Sequence, residues 1–476
     1  MTKTKTKKIY NKNTGGKVIA SGGFGCVFTP ALKCQNAKKR ELNKVTKLMK
    51  DKYAIKEYEE INYIKNKLNK IKNYTDYFLI YDATLCRPAK LTKNDLKNYP
   101  SKCSALPKND ITKNNINTKI GEIMSLNIPN GGIPIDDFVY NNGSYNKLYK
   151  LQDNLISLLE KGIIPMNNKN IYHSDIKDSN ILVDVKKNTM KTRLIDWGLT
   201  TEYIPFKNNT FPNVWRDRPF QFNVPFSVIL FSDEFITQYT TFIESGKDYS
   251  NYNSLKPFVI DYINFWNKKR GPGHYKFINE IFYILYSNHL QSVKEEDKPD
   301  MIETEFTFPT IVDYIVKILL KFTKFKDTTQ IRGKQVNLRE YLDNVYIQNL
   351  DIWGFINCYY PFIEMLSNNH NSLNSKEIEL FESLKSLFVD FLYKTSDDVI
   401  QLPKLFKELK NIKQLIYKIN IEKNQNKITQ KNKGDGIEIN TKNTKNTKNT
   451  KNTKNTKKIF KYKGKMNRFK NPIFIQ

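Results

Sequence analysis

Between residues 51 and 71, Ala54, Tyr58, Ile61, Ile64, Leu68 and Ile71 recur every three or four positions. That is the period of one helix face, and it predicts an amphipathic helix over the stretch. Upstream, from Gly16 to Leu48, short β-like runs alternate with turn residues, and "KVTKLM" (44–49) alternates as a strand should. "YFLIYDATL" (77–85) reads as a buried strand, and the Lys/Asn/Pro-rich stretch from 87 to 117 as an excursion. "LYKLQDNLISLLEKGII" (148–164) has helical spacing, while the apolar runs "NILVD" (180–184) and "TRLIDW" (192–197) predict two short strands. Residues 202–345 carry mixed, mostly helical signals, and a further helical block runs from 348 to about 419. "TKNTKNTKNTKNTKNTKK" (441–458) repeats every three residues without apolar content, so it cannot bury a core. Disorder is expected there and over residues 1–14.

The 476 residues, 39% of them apolar, suffice for more than one domain and a sizeable core. The formal charge of +30 invites a nucleic-acid reading, but its distribution weakens it. From Lys423 onward sixteen basic residues face two acidic ones, and residues 1–12 add five lysines. Nineteen of the thirty net positive charges therefore sit at the termini. Nucleic-acid contact through basic tails is compatible with this balance and not favoured. Five cysteines without a CxxC pair, and only four histidines, argue for reduced thiols in an intracellular protein rather than a zinc cluster. No apolar run reaches eighteen residues and none follows "MTKTKTKK", so neither a membrane span nor a signal peptide is expected.

"NIYHSDIKDSNILVD" (170–184) concentrates reactive side chains in front of an apolar run. Asp175 could accept the proton of an attacking hydroxyl, Lys177 could neutralise a moving phosphoryl group, and the Asn180 oxygen is a hard ligand suited to Mg²⁺. Twenty-one residues on, Asp196 ends an apolar strand, and Gly198 lets the chain turn away and leave the carboxylate exposed to metal. The bland alternative is a pair of turns with capping Asp and Asn.

In this order the residues resemble the catalytic loop H-R-D-x-K-x-x-N and the D-F-G metal motif of eukaryotic-type protein kinases, most nearly the divergent ones encoded by large DNA viruses of protists. "VIASGGFGCVF" (18–28) is similar to the family's glycine-rich loop. The resemblance gives Gly22, Gly23 and Gly25 close approach to phosphates, Phe24 the cap of the turn, and Val27 the cover of the adenine; Ala20 replaces the usual first glycine. For the lysine that reaches the phosphates we take Lys47 on the 44–49 strand, paired with Glu57 on the following helix. "YAIK" offers Lys56 with Glu60 as the fallback, although Ala54 and Ile55 already belong to the helical pattern. "MSLNIPNGGIPIDDF" (124–138) resembles the hinge, where backbone groups near Leu126 to Ile128 would meet the adenine edge. "LDIWGFINCYYPFIEML" (350–366) resembles the buried helix whose aspartate, here Asp351, bonds the catalytic-loop backbone near His173.

The resemblance implies an α+β, bilobal protein-kinase-like fold: a small β-rich N-lobe with one long helix (15–128, with an insertion at about 87–117) and a larger, mainly helical C-lobe (129–420, with an insertion at about 202–345). A basic tail follows over 421–476. It implies ATP and Mg²⁺ as cofactors, Asp175 and Lys177 as catalytic residues, Asn180 and Asp196 as metal ligands, and serine or threonine of a protein as acceptor. A monomer without membrane attachment is expected, in the host cytoplasm or the virion if the source is viral. The alternatives are a pseudokinase scaffold or a kinase-like enzyme acting on a small molecule. Ser174 stands where the family carries arginine, so no activation-loop phosphate is expected to be needed. Trp197 replaces the phenylalanine of D-F-G, and no A-P-E motif follows.

Overall fold

The computed structural model describes residues 16–141, 143–187, 189–207, 211–325 and 336–434. The expected disordered N-terminus and KNT repeat lie outside them. The described chain is mixed α and β, with small, mainly antiparallel sheets and a larger helical part. It divides into two units: residues 16–54, 86–126 and 421–434 form the smaller, and 55–85 and 127–420 the larger.

In the smaller unit, Lys17–Ser21 (β1), Gly25–Thr29 (β2) and Lys44–Lys50 (β3) pair antiparallel, as their alternation predicts. With Thr84–Cys86 (β4) and Ile123–Pro129 (β5) they make a five-stranded sheet in the order β1-β2-β3-β5-β4. Val18, Cys26, Phe28 and Leu48 turn one face into a core. The other half of that core comes from the stretch expected to be an excursion: Leu91, Leu96, Tyr99, Leu106, Ile111 and Ile116 pack onto the same face. These apolar residues are spaced too irregularly for a helix or strand, so their common destination was not legible in the sequence.

Polar ties fix this cover. Asp95 accepts from the Gly16 amide at 2.7 Å and from Arg40 at 2.8 Å, and the Asn117 side chain bonds both the amide (2.7 Å) and the carbonyl (2.9 Å) of Leu91. The expectation of five reduced thiols is corrected here. Cys26–Cys103 and Cys34–Cys86 are disulfides, with Cα–Cα distances of 5.4 and 5.8 Å, and Cys358 is the one free cysteine. Spacing along the chain says nothing about which cysteines folding brings together.

The helix Asp51–Leu68 buries Ala54, Ile61, Ile64 and Leu68 of the predicted stripe, leaves Tyr58 half-buried and ends before Ile71; from Ile55 onward it belongs to the larger unit, as do all residues to 85. The division between the units therefore does not coincide with the expected 15–128 limits over 55–85. Within the larger unit, Leu79 donates to the Leu194 carbonyl at 3.0 Å, Leu194 donates to Tyr77 at 2.8 Å, and Lys67 bonds Glu202 at 3.0 Å. Of the strand expected at 77–85, only Thr84–Cys86 and a bridge from Phe78 to Leu194 form.

Ile133–Pro134 (β6), Ile181–Lys186 (β8) and Thr189–Leu194 (β9) make a three-stranded antiparallel sheet, and Ile171–Tyr172 (β7) pairs with Thr201–Glu202 (β10). Around them pack helices Tyr145–Leu158, Asp233–Glu244, Tyr252–Arg270, Tyr275–Leu285 and Phe308–Phe322. Helix Ile347–Asn357 is buried continuously from Asn349 onward and has no polar face, so it lies at the centre of the unit. The last helix, Leu402–Gly434, runs past the boundary expected at 420. Among the described residues no helix is long and apolar enough to cross a membrane.

Candidate active site

The β8–β9 hairpin sets two of the proposed functional residues side by side. Ile181 pairs with Leu194, and one step before them the Ile195 amide donates to the Asn180 carbonyl at 3.0 Å. Asp196 follows directly, exposed, with φ of 65°. A positive φ is uncommon outside glycine and is tolerated best by Asp and Asn. Here it turns the carboxylate out at the end of the strand. Ahead of Asn180, the Lys177 amine lies 2.8 Å from Asp175 Oδ2, and Asn180 Nδ2 donates to the same oxygen at 2.9 Å and to the Asp175 carbonyl at 2.8 Å. Asp175, Lys177 and Asn180 thus converge, with Asp196 at the adjoining strand end.

Two partners of this loop come from far along the chain. Asn223 Nδ2 donates to Asp175 Oδ1 at 2.9 Å, so both carboxylate oxygens are held. The Arg218 Nη1 group donates to the Ser174 carbonyl at 3.1 Å. Neither contact is legible in the sequence; the one signal for Asn223 is a polar residue inside the apolar run "QFNVPF" (221–226). Burial pushes the Asp175 pKa up, but Lys177, then Arg218 and the Asn223 bond, outweigh it and hold the carboxyl below its ordinary value. Burial, reinforced by Lys177, pushes His274 down to about 4.

Asp351, on the central helix, receives the His173 amide at 2.8 Å on Oδ2 and the Ser174 amide at 2.9 Å on Oδ1, the contact expected of it. The loop and this helix approach so closely that a Cβ on Gly354 would stand 2.5 Å from the Ile176 carbonyl oxygen. Only glycine fits there. His173 Nε2 lies 3.0 Å from the Ile195 carbonyl, and its ring meets Trp197 edge-on, with centroids 5.0 Å apart. Trp197 also contacts Phe78 at 5.6 Å, filling an apolar slot at 4% exposure.

In the smaller unit, the Gly22 amide donates to the Gly25 carbonyl at 2.8 Å, closing the turn that contains Gly23 and Phe24. Phe24 is exposed and its ring meets Tyr53 at a tilt, with centroids 4.6 Å apart. Gly25 is required for a different reason than phosphate approach, since a Cβ there would lie 2.6 Å from the Leu48 carbonyl oxygen. Lys47 sits directly across from Val27 in the β2–β3 ladder, and a Cβ on Gly22 would stand 4.0 Å from its Cε. Lysine and glycine turn are therefore neighbours. Lys56 instead lies on the exposed helix face, 3.7 Å from Glu60. Glu57 is half-buried on the same helix and belongs to the larger unit, whereas Lys47 belongs to the smaller. Leu126 and Ile128 lie on β5, the first buried and the second half-buried.

Both side-chain hydrogen bonds of Asn180 use Nδ2, which leaves the amide oxygen as the end suited to a hard cation. Among the described residues no cluster of three His, Cys, Asp or Glu could hold a metal by itself. A pair of oxygen donors fits Mg²⁺, which keeps several waters and shares its remaining positions with phosphate oxygens. No protein-family model matches the chain, and no curated protein matches it in sequence.

Proposed function

We propose that the chain is a protein kinase that transfers the γ-phosphoryl group of ATP to serine or threonine hydroxyls of a protein, on a bilobal fold of the divergent type suggested by the motifs. The observation that carries this reading is the Asp175 carboxylate. It is held on one oxygen by Asn223, on the other by Lys177 and Asn180, and it stands beside the strand end that presents Asp196.

Asp175 stays ionised because Lys177, Arg218 and Asn223 favour its charged form. An ionised carboxylate in fixed orientation can accept the hydrogen bond of an acceptor hydroxyl and take its proton as the bond to phosphorus forms. Lys177, already 2.8 Å from that carboxylate, is placed to offset negative charge on the transferring group. Asn180 Oδ1 and the Asp196 carboxylate would hold Mg²⁺, which when bound neutralises phosphate charge. The resemblance assigns the nucleotide phosphates to Lys47 and the Gly22–Gly25 turn, and the juxtaposition of Lys47 and Gly22 supports that assignment.

The test is transfer of label from γ-labelled ATP to generic basic and acidic protein substrates, with Asp175→Ala in parallel. Label on protein serine or threonine in the wild type alone is the expected result. ATP binding without transfer would point to a pseudokinase scaffold, and label on a small acceptor only would point to a different transferase.

A further inference from the structure

Ser174, the residue before the proposed base, has φ of 62°, a conformation that serine adopts only when its surroundings hold it there. Three polar ties do so. Its amide donates to Asp351 Oδ1 at 2.9 Å, its carbonyl accepts from Arg218 Nη1 at 3.1 Å, and its hydroxyl accepts from Trp215 Nε1 at 2.9 Å. The Asp351 tie belongs to the central helix. The other two come from one short stretch downstream of the Asp196 motif.

We infer that Trp215 and Arg218 are positioning residues, which clamp the Ser174 peptide directly and so orient Asp175 in place of a regulatory phosphate. This deepens the kinase reading and rests on it.

Trp215 is fully buried, and its ring meets Tyr203 at 5.2 Å, Tyr346 at 5.9 Å and Tyr172 at 6.0 Å. The indole is thus gripped by aromatic neighbours, and its N–H points at a fixed acceptor. Arg218 is 7% exposed and also donates to Gln221. Burial pushes the Arg218 pKa down, and the nearby Asp175 carboxylate opposes that shift. Neither group can receive a phosphate from solvent. Arg216, the more exposed arginine of the stretch, pairs with Asp233 at 2.6 Å. A loop phosphate would therefore meet a buried Arg218 and an Arg216 already paired with Asp233, while the order it would impose is supplied by a neutral hydrogen bond and a buried cation.

The test compares Trp215→Phe, which keeps a ring and removes the N–H, with Ser174→Ala, which removes the acceptor. Each should lower kcat for protein phosphorylation about tenfold, the worth of one well-placed hydrogen bond, with KM for ATP unchanged. The double variant should fall no further than either single one, because both remove the same bond. Amide hydrogen exchange over residues 173–177 should rise in both, a readout that needs no activity. Phosphatase treatment of the wild type should leave kcat unchanged. Abolition of activity by phosphatase overturns the inference, as do unchanged kcat and unchanged exchange in both variants. A wild type without transferase activity whose loop still loses protection in both variants upholds the clamp and overturns the kinase reading alone.

Discussion

The two units of the molecule are held together by different means. The smaller has a thin sheet whose core is completed by a polar, irregular stretch, and that stretch is tied down by two disulfides and by Asp95, Arg40 and Asn117. The larger unit forms no disulfide among its described residues. Its centre is a set of aromatic rings around Phe226, which meets Trp353 at 5.3 Å, Tyr314 at 5.6 Å and Tyr393 at 5.6 Å, stacked about a helix that is buried on every side. Where apolar surface is scarce, covalent ties supplement it; where it is abundant, packing around a buried helix carries the core.

The sharpest test of this contrast removes the chemistry without touching either mode of support. Asp175→Asn keeps the shape of the side chain and should lower phosphoryl transfer on the order of a thousandfold. Lys47→Met should abolish ATP turnover in the same assay, whereas Lys56→Met should leave it intact and alter stability by less than about 0.5 kcal/mol, because Lys56 forms only an exposed pair. If Lys56→Met proves the inactive variant, the assignment of Lys47 fails.

Reduction addresses the smaller unit. The two bridges span 77 and 52 residues, and opening either should destabilise that unit by about 4 kcal/mol on the loop-entropy account. Hydrogen exchange with and without a dithiol should show protection lost over residues 16–54 and 86–126 and kept around Phe226. Equal loss in both units would break the comparison.

Acid addresses the larger unit. His274 is pushed down to about 4 by burial and by Lys177, so in the unfolded chain it takes up a proton near pH 6.5 while the folded chain does not. Its contribution is full above that pH and falls away as pH drops from 6.5 toward 4, by about 3 kcal/mol. Thermal melts across this window should therefore slope downward in the wild type and be flatter in His274→Phe. The smallest effect concerns Asn223. Removing its bond in Asn223→Ala should raise the Asp175 pKa, so the acidic limb of kcat against pH should shift upward from its position below the ordinary carboxylate range. A limb that does not move would mean that Asn223 does not act on the carboxylate.

Much of the local structure was legible in the chain. The 51–71 stripe, the 44–49 strand and the apolar runs flanking Asp196 each form close to where periodicity places them, because short-range spacing decides which face a side chain occupies. The convergence of Asp175, Lys177 and Asn180 was also legible, since it lies within one turn-rich loop. The failures are all long-range. The excursion at 87–117 became half a core, the cysteines paired, and the strand at 77–85 shrank to a bridge and three residues.

The sequence by itself determined the elements and the chemistry of the loop, since both depend on neighbours a few positions apart. Only the tertiary structure decided that Trp215, Arg218 and Asn223 reach back more than forty residues to Ser174 and Asp175, and that Asp351 reaches back from the central helix. The physical reason is that a buried hydrogen bond is set by where packing leaves a donor and an acceptor face to face, and no local pattern records that outcome.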